Sequence, residues 1–181
     1  MKTDNVERYL NSFGKQVVNR AKGGLQKAKG GGTALEGSLK YELKPTSDGF
    51  EVNFYMNDYG TFVDKGVSGN QTTQKFKNYL GQVIASPYKY TTKQPPPDIL
   101  EKWIKTKGFG RVRDEKTGRY ISHLSLAYLI GKKIKRDGIK SLAFFQKPLG
   151  LGLKQFGSKL AENVAEDIVD ELNKTITTKV N

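Results

Sequence analysis

The chain has 181 residues, with 31 lysines and arginines against 18 aspartates and glutamates, a formal net charge of +13, one histidine and no cysteine. That is enough for one ordinary domain with a core and barely enough for two. Disulfides, thiolate metal sites and cysteine nucleophiles are excluded, and the lone His123 rules out a histidine-based metal site or dyad within one chain.

Apolar residues make up 36%, below the globular average, so a small core carrying polar arms is expected. No apolar run reaches bilayer length, and Met1–Asn5 lacks the apolar stretch of a signal peptide. The expected setting is a reducing cytosol or a particle assembled there, with no membrane partner. The charge is uneven: residues 1–32 carry +5 and residues 87–147 carry +10, while the remaining stretches are each at −1. Such a field attracts polyanions or an acidic protein surface, although solubility alone also accounts for it.

Residues 4–29 read as a helix, with Val6, Tyr9, Leu10, Phe13, Val17, Ala21, Leu25 and Ala28 at three- and four-residue steps. Asp4 fits an N-cap with Glu7 three positions on, and Gly30-Gly31-Gly32 stops the helix. Leu39, Tyr41 and Leu43 alternate with polar residues, as do Phe50, Val52, Phe54 and Met56. With the turn cluster Pro45–Gly49 between them, they predict a hairpin. Asn57-Asp58 then caps a short helical turn over Tyr59–Lys65, ended by Gly66. On it Tyr59, Phe62 and Val63 share a face for packing and Asp64 is expected to be exposed, so Phe62→Asp is expected to bury a charge.

Residues 67–97 show no clean period, with Tyr88–Thr91 a candidate third strand. Pro95-Pro96-Pro97 forces extended backbone before a helix through Asp98, Trp103 and Lys107 that Gly108 ends. A basic turn-rich loop at 110–119 leads to a helix capped by Ser122, with Leu124, Leu126, Ala127, Leu129, Ile130 and Ile134 expected inside, up to Asp137-Gly138. A last helix is expected over 153–176, where Leu153, Phe156, Leu160, Val164, Ile168, Leu172 and Ile176 step mostly by four. Such a stripe drifts around a helix with 3.6 residues per turn and suits a crossing partner better than a straight seam.

Catalytic patterns are weak. His123, Ser122, Ser125, Asp114 and Glu115 lack a nucleophile-elbow glycine pattern, and nothing completes a triad. Gly30-Gly31-Gly32-Thr33 matches neither phosphate-loop pattern. No acid spacing demands a metal, so the expectation is a protein that is not an enzyme and has no cofactor. Lys132, Lys133, Lys135 and Arg136 flank an apolar stripe, with Arg111, Arg113 and Arg119 upstream. These seven form a candidate contact for a polyanion or an acidic rim, and they equally fit a solvated helix face. The 107–122 connection is too long for a helix-turn-helix.

Three segments together carry a resemblance. Thr33-Ala34-Leu35-Glu36-Gly37-Ser38-Leu39 resembles the T-G-x-L-x-x-S-[IL] element that ends the first helix of the tailed-phage head–tail joining and tail-completion (neck) proteins. Tyr59–Gly66 resembles their Y-A-x-[FY]-V-E-x-G, and Gly138–Leu149 looks like their P-F-L-x-P-A entry to the last helix without its leading proline. The resemblance implies one α+β domain over 1–181, a small, mainly antiparallel sheet against amphipathic helices with long terminal helices, and an inserted basic region at about 67–121. It further implies a virion structural protein, assembled in the host cytoplasm, that closes into a 6- or 12-fold ring at the portal–tail junction. Such a ring joins head to tail and guides the DNA channel, touching packaged DNA non-specifically. Its partners would be copies of itself, a portal or adaptor ring, and tail-tube or terminator proteins. The contact residues implied are Leu35, Leu39, Tyr59, Phe62, Val63, Asp64, Gly66, Ile139, Phe144, Phe145 and Pro148. A stand-alone DNA-binding protein using residues 87–147 is the alternative.

Overall fold

The computed structural model describes residues 3–109 and 112–180, with 175–180 described by their backbone alone. In chain order the elements are α1 (Asp4–Lys29), α2 (Ala34–Ser38), β1 (Lys40–Thr46), β2 (Gly49–Tyr55), α3 (Gly60–Lys65), β3 (Val67–Ser68), β4 (Lys75–Lys77) and β5 (Val83–Ala85). They continue with α4 (Pro97–Thr106), α5 (His123–Asp137), β6 (Gly138–Ile139), α6 (Gln146–Leu153) and α7 (Phe156–Val180). The fold is α+β with long first and last helices, and its β structure is divided among two-stranded pairs. The chain forms two compact units, one from 1–60, 77–82 and 143–181, the other from 61–76 and 83–142.

The first unit is organised by α1, whose apolar stripe is buried at Val6, Leu10, Phe13, Val17, Val18, Ala21 and Leu25. Each of the valine, leucine and phenylalanine side chains among them contributes about 1.5–3 kcal/mol on leaving water, before the entropy of ordering is set against it. Phe13 is the centre of an aromatic cluster, its ring 4.8 Å from that of Phe156 on α7 and 6.4 Å from that of Phe54 on β2. Phe54 in turn lies 5.4 Å from Phe145. Gly14 lets α1 lie against β1, because a Cβ there would sit 2.4 Å from Tyr41 Cδ2. Thr3, not Asp4, occupies the N-cap position, and its side chain makes no capping bond. The backbone N–H groups of Asn5 and Val6 donate instead to the carboxylate of Asp167 on α7, which is 3% exposed.

The hairpin pairs β1 with β2 antiparallel from Lys40↔Tyr55 to Thr46↔Gly49, leaving Ser47 and Asp48 as the turn. The strands therefore run further into the Pro45–Gly49 cluster than the turn chemistry alone predicts. Tyr41, Leu43, Val52 and Phe54 are half-buried while Lys40, Glu42, Lys44 and Glu51 face water, the alternation of a sheet with one covered face. The helix expected over 153–176 is two helices. Leu153 ends α6, and α7 starts at Phe156. In α6 a Cβ on Gly150 would sit 2.4 Å from Tyr79 O, and one on Gly152 would sit 2.7 Å from Phe13 Cε2.

In the second unit α4 packs on α5, with Ile104 and Ala127 fully buried. Ser122 caps α5, its hydroxyl accepting from the N–H of Ser125. Beside this pair Ser68 is a hub: β3 pairs antiparallel with β6, and Ser68 also forms a parallel bridge to Lys89. Its N–H donates to Tyr88 O, and its carbonyl accepts from Tyr90 N–H. That one bridge is all the β structure found at Tyr88–Thr91, so the expected third strand does not form. Gly138 has φ +80°, and a Cβ on it would lie 2.1 Å from Val67 O, which limits this close strand approach to glycine.

Candidate functional site

The segments that carry the family resemblance are held by hydrogen bonds within each unit. In the first unit Thr33 caps α2, accepting from Glu36 N–H, and Leu35 and Leu39 are buried. Ser38 Oγ accepts from Asn57 N–H, and the Asn57 side-chain amide donates to Ala34 O. A Cβ on Gly60 would meet Leu35 Cδ1 at 2.8 Å. Phe144 and Pro148 are buried and Phe145 half-buried. In the second unit Leu142 N–H donates to Val63 O, and the Ser141 hydroxyl donates to Asp64 O. Gly66, with φ +74°, turns where a Cβ would lie 2.7 Å from Ile139 O.

Most of the expected contact residues are therefore internal. Asp64, expected at the surface, is 1% exposed. The short helix places it inward beside the chain at Ser141, a neighbour seventy-seven positions away that local spacing does not reveal. Val63 is half-buried. Tyr59, Phe62 and Ile139 remain open to a neighbour. The Phe62 ring packs edge-on to Tyr88 at 4.4 Å yet remains 43% exposed, so an aspartate in its place would not be a buried charge.

The cations gather on the outer face of α5. Lys132, Lys133, Lys135 and Arg136 line one cleft with Tyr128, Leu129, Asn70, Gln71 and Gln94. The loop wall is fixed, since Asn70 and Gln71 N–H groups donate to the Lys135 and Arg136 carbonyls at the end of α5. Gly69 permits the approach, as its Cβ would be 2.1 Å from Arg136 O. Lys132 Nζ lies 5.0 Å from the Tyr128 ring centre. Arg136 is committed to Asp137, with Nε to Oδ1 at 2.7 Å and Nη2 to Oδ2 at 2.8 Å. That hydrogen-bonded pairing holds the Asp137 carboxyl below its ordinary value and the Arg136 guanidinium above its own. Lys132 and Lys133 of the cleft are exposed and Lys135 is half-buried.

An adjoining cleft, lined by Arg119, Tyr120, Ile121, Leu124, Tyr128 and Leu129 among others, shares Tyr128 and Leu129 with the first. Its loop is shaped by Asp114, whose Oδ1 accepts from the N–H groups of Lys116 and Thr117 and the Thr117 hydroxyl. Those bonds, that from Thr117 N–H first, hold the Asp114 carboxyl below its usual value. Arg113 stacks on Tyr120 with Cζ 4.7 Å from the ring centre and donates to its hydroxyl. Arg111 lies outside the described residues.

The apolar half of this surface departs from the expectation that Leu124 and Leu129 are internal. They are 53% and 52% exposed, because Ala127 and Gly131 form the close side of α5 and these leucines fall outside it. On α7 the four-residue stripe drifts about 40° per step. Leu160 and Val164 are half-buried, while Ile168 and Leu172 have rotated out to 43% and 56% exposure, with Val169 beside them. The step of four is the signal for this exposure.

Among the described residues no group of three or more His, Cys, Asp or Glu could hold a metal ion, and no helix is long and apolar enough to cross a membrane. Comparison with protein-family models, curated proteins and solved structures finds no match for this chain.

Proposed function

We propose that this chain is a structural protein of a tailed-phage virion, one subunit of a closed ring at the portal–tail junction that joins head to tail and surrounds the DNA path. One observation carries the reading. The segments resembling the neck family are framework: Thr33–Leu39 is hydrogen-bonded to Asn57 and packs on Gly60, while Val63 and Asp64 are hydrogen-bonded to Leu142 and Ser141 and Gly66 lies close to Ile139. Parts that brace subunit shape are what a ring needs, since heterologous contacts close only if each wedge keeps its angle. Tyr59, Phe62 and Ile139 are available for neighbours. Electron microscopy of the purified protein and of virions tests this reading. Cyclic rings are expected, and a strictly monomeric protein absent from particles overturns it.

A stand-alone duplex-DNA binder is the second reading, favoured by the lysines collected in one cleft of α5. It requires affinity that falls steeply with salt, with a log–log slope on the order of −5 or steeper. Weak binding at physiological salt discards it.

A further inference from the structure

Resting on the ring reading, we propose that the outer face of α7 in one copy docks antiparallel on the outer face of α5 in the next copy, and that this is the contact that propagates the ring. Each helix presents an exposed strip in two halves. On α5, Leu124, Tyr128 and Leu129 come first, and Lys132 and Lys133 follow. On α7 the order is reversed: Glu162 and Glu166 come first, then Ile168, Val169 and Leu172. Glu162 also meets Lys159 of its own helix at 2.7 Å, an exposed pair that water screens and a second cation can displace.

Running the helices in opposite directions sets apolar against apolar and acid against base. The lengths agree, since Leu124 to Lys132 spans about 12 Å of helix and Glu162 to Leu172 about 15 Å. Parallel docking would instead press Ile168 and Leu172 against lysines. The same order speaks against a two-fold contact of either helix with its own copy, which would oppose like charges if parallel and set charged against apolar side chains if antiparallel. A surface that fits a different surface of an identical molecule leaves one of each free in any pair, so the association continues until it closes. The apolar halves supply the buried area, and the charged halves fix direction and register.

Charge reversal tests the pairing by native mass and microscopy. The variant K132E/K133E and the variant E162K/E166K should each be monomeric while keeping the far-ultraviolet dichroism and melting midpoint of the parent. An equimolar mixture of the two should reassemble into rings in which they alternate, and the fourfold variant should form rings alone. Rings formed by each double variant as readily as by the parent overturn the α5–α7 contact and leave the ring reading standing. A parent chain that is monomeric overturns both. If K132E/K133E keeps its rings but loses binding of the parent to duplex DNA, the α5 face belongs to nucleic acid and the proposal fails.

Discussion

The backbone N–H of Val6 donates to Oδ2 of Asp167 over 3.0 Å, so a side chain of the last helix caps the first. Burial alone would raise the Asp167 carboxyl, but the bonds from the Asn5 and Val6 N–H groups outweigh it and hold the group below its usual value. A carboxylate whose folded value is depressed contributes stability above its unfolded value, near pH 4, and loses it as pH falls through the folded one. Asp167→Asn should therefore lower the thermal midpoint at pH 7. The gap to the parent should close below about pH 4. A gap independent of pH between about 3 and 7 would contradict this assignment.

Two glycines of α1 should respond to alanine with opposite signs. A methyl on Gly23 would meet nothing within 4 Å, whereas one on Gly14 collides with the Tyr41 ring. Gly23→Ala should gain about 0.5–1 kcal/mol from helix propensity, and Gly14→Ala should lose about 1–3 kcal/mol to overpacking. Urea unfolding of the two variants reads both signs.

Gly69→Ala places its methyl against the Arg136 carbonyl, a backbone atom that cannot swing aside. The bonds from Asn70 and Gln71 N–H to α5 should be lost with it. Hydrogen exchange should show faster exchange at those two amides, while amides in the middle of α1 keep their protection. Unchanged protection at 70 and 71 would show that the loop accommodates the methyl.

Phe62→Asp should leave a folded chain. The ring contact with Tyr88 is worth about 0.5–1.5 kcal/mol, and the side chain at this position is 43% exposed, so a carboxylate there can stay hydrated. Under the proposed ring, the folded variant should fail to enter particles. A folded variant incorporated as the parent is would remove Phe62 from the interface.

Elements whose order is set locally are legible in the sequence. The periodicity of α1, the alternation of the hairpin and the Ser122 cap each depend on neighbours within a few residues. What escapes depends on distant partners. Asp4 with Glu7 looks like a capping pair, yet the cap of α1 comes from Asp167. Asp64 looks solvent-facing because a helix of six residues gives no dependable inside, and a buried acid is uncommon. The lysines of the α5 face are legible as a group because they are contiguous. The apolar strip beside them reads as core, since periodicity marks a face without saying what covers it.

The pairing of α1 with α7 also sets a clock on the folding of the chain. The first helix leaves the ribosome with Val6, Leu10 and Phe13 uncovered, and the Asp167 cap and the Phe156 ring that complete its surroundings come at the far end of the chain. At roughly 5–20 residues per second, the stretch from 30 to 155 takes roughly 6–25 s to synthesise. Until then the first unit lacks the helix that covers this part of α1. Because the helix that closes α1 also bears the outward strip of Ile168 and Leu172, that strip is displayed on a formed α7 only when the first unit can close.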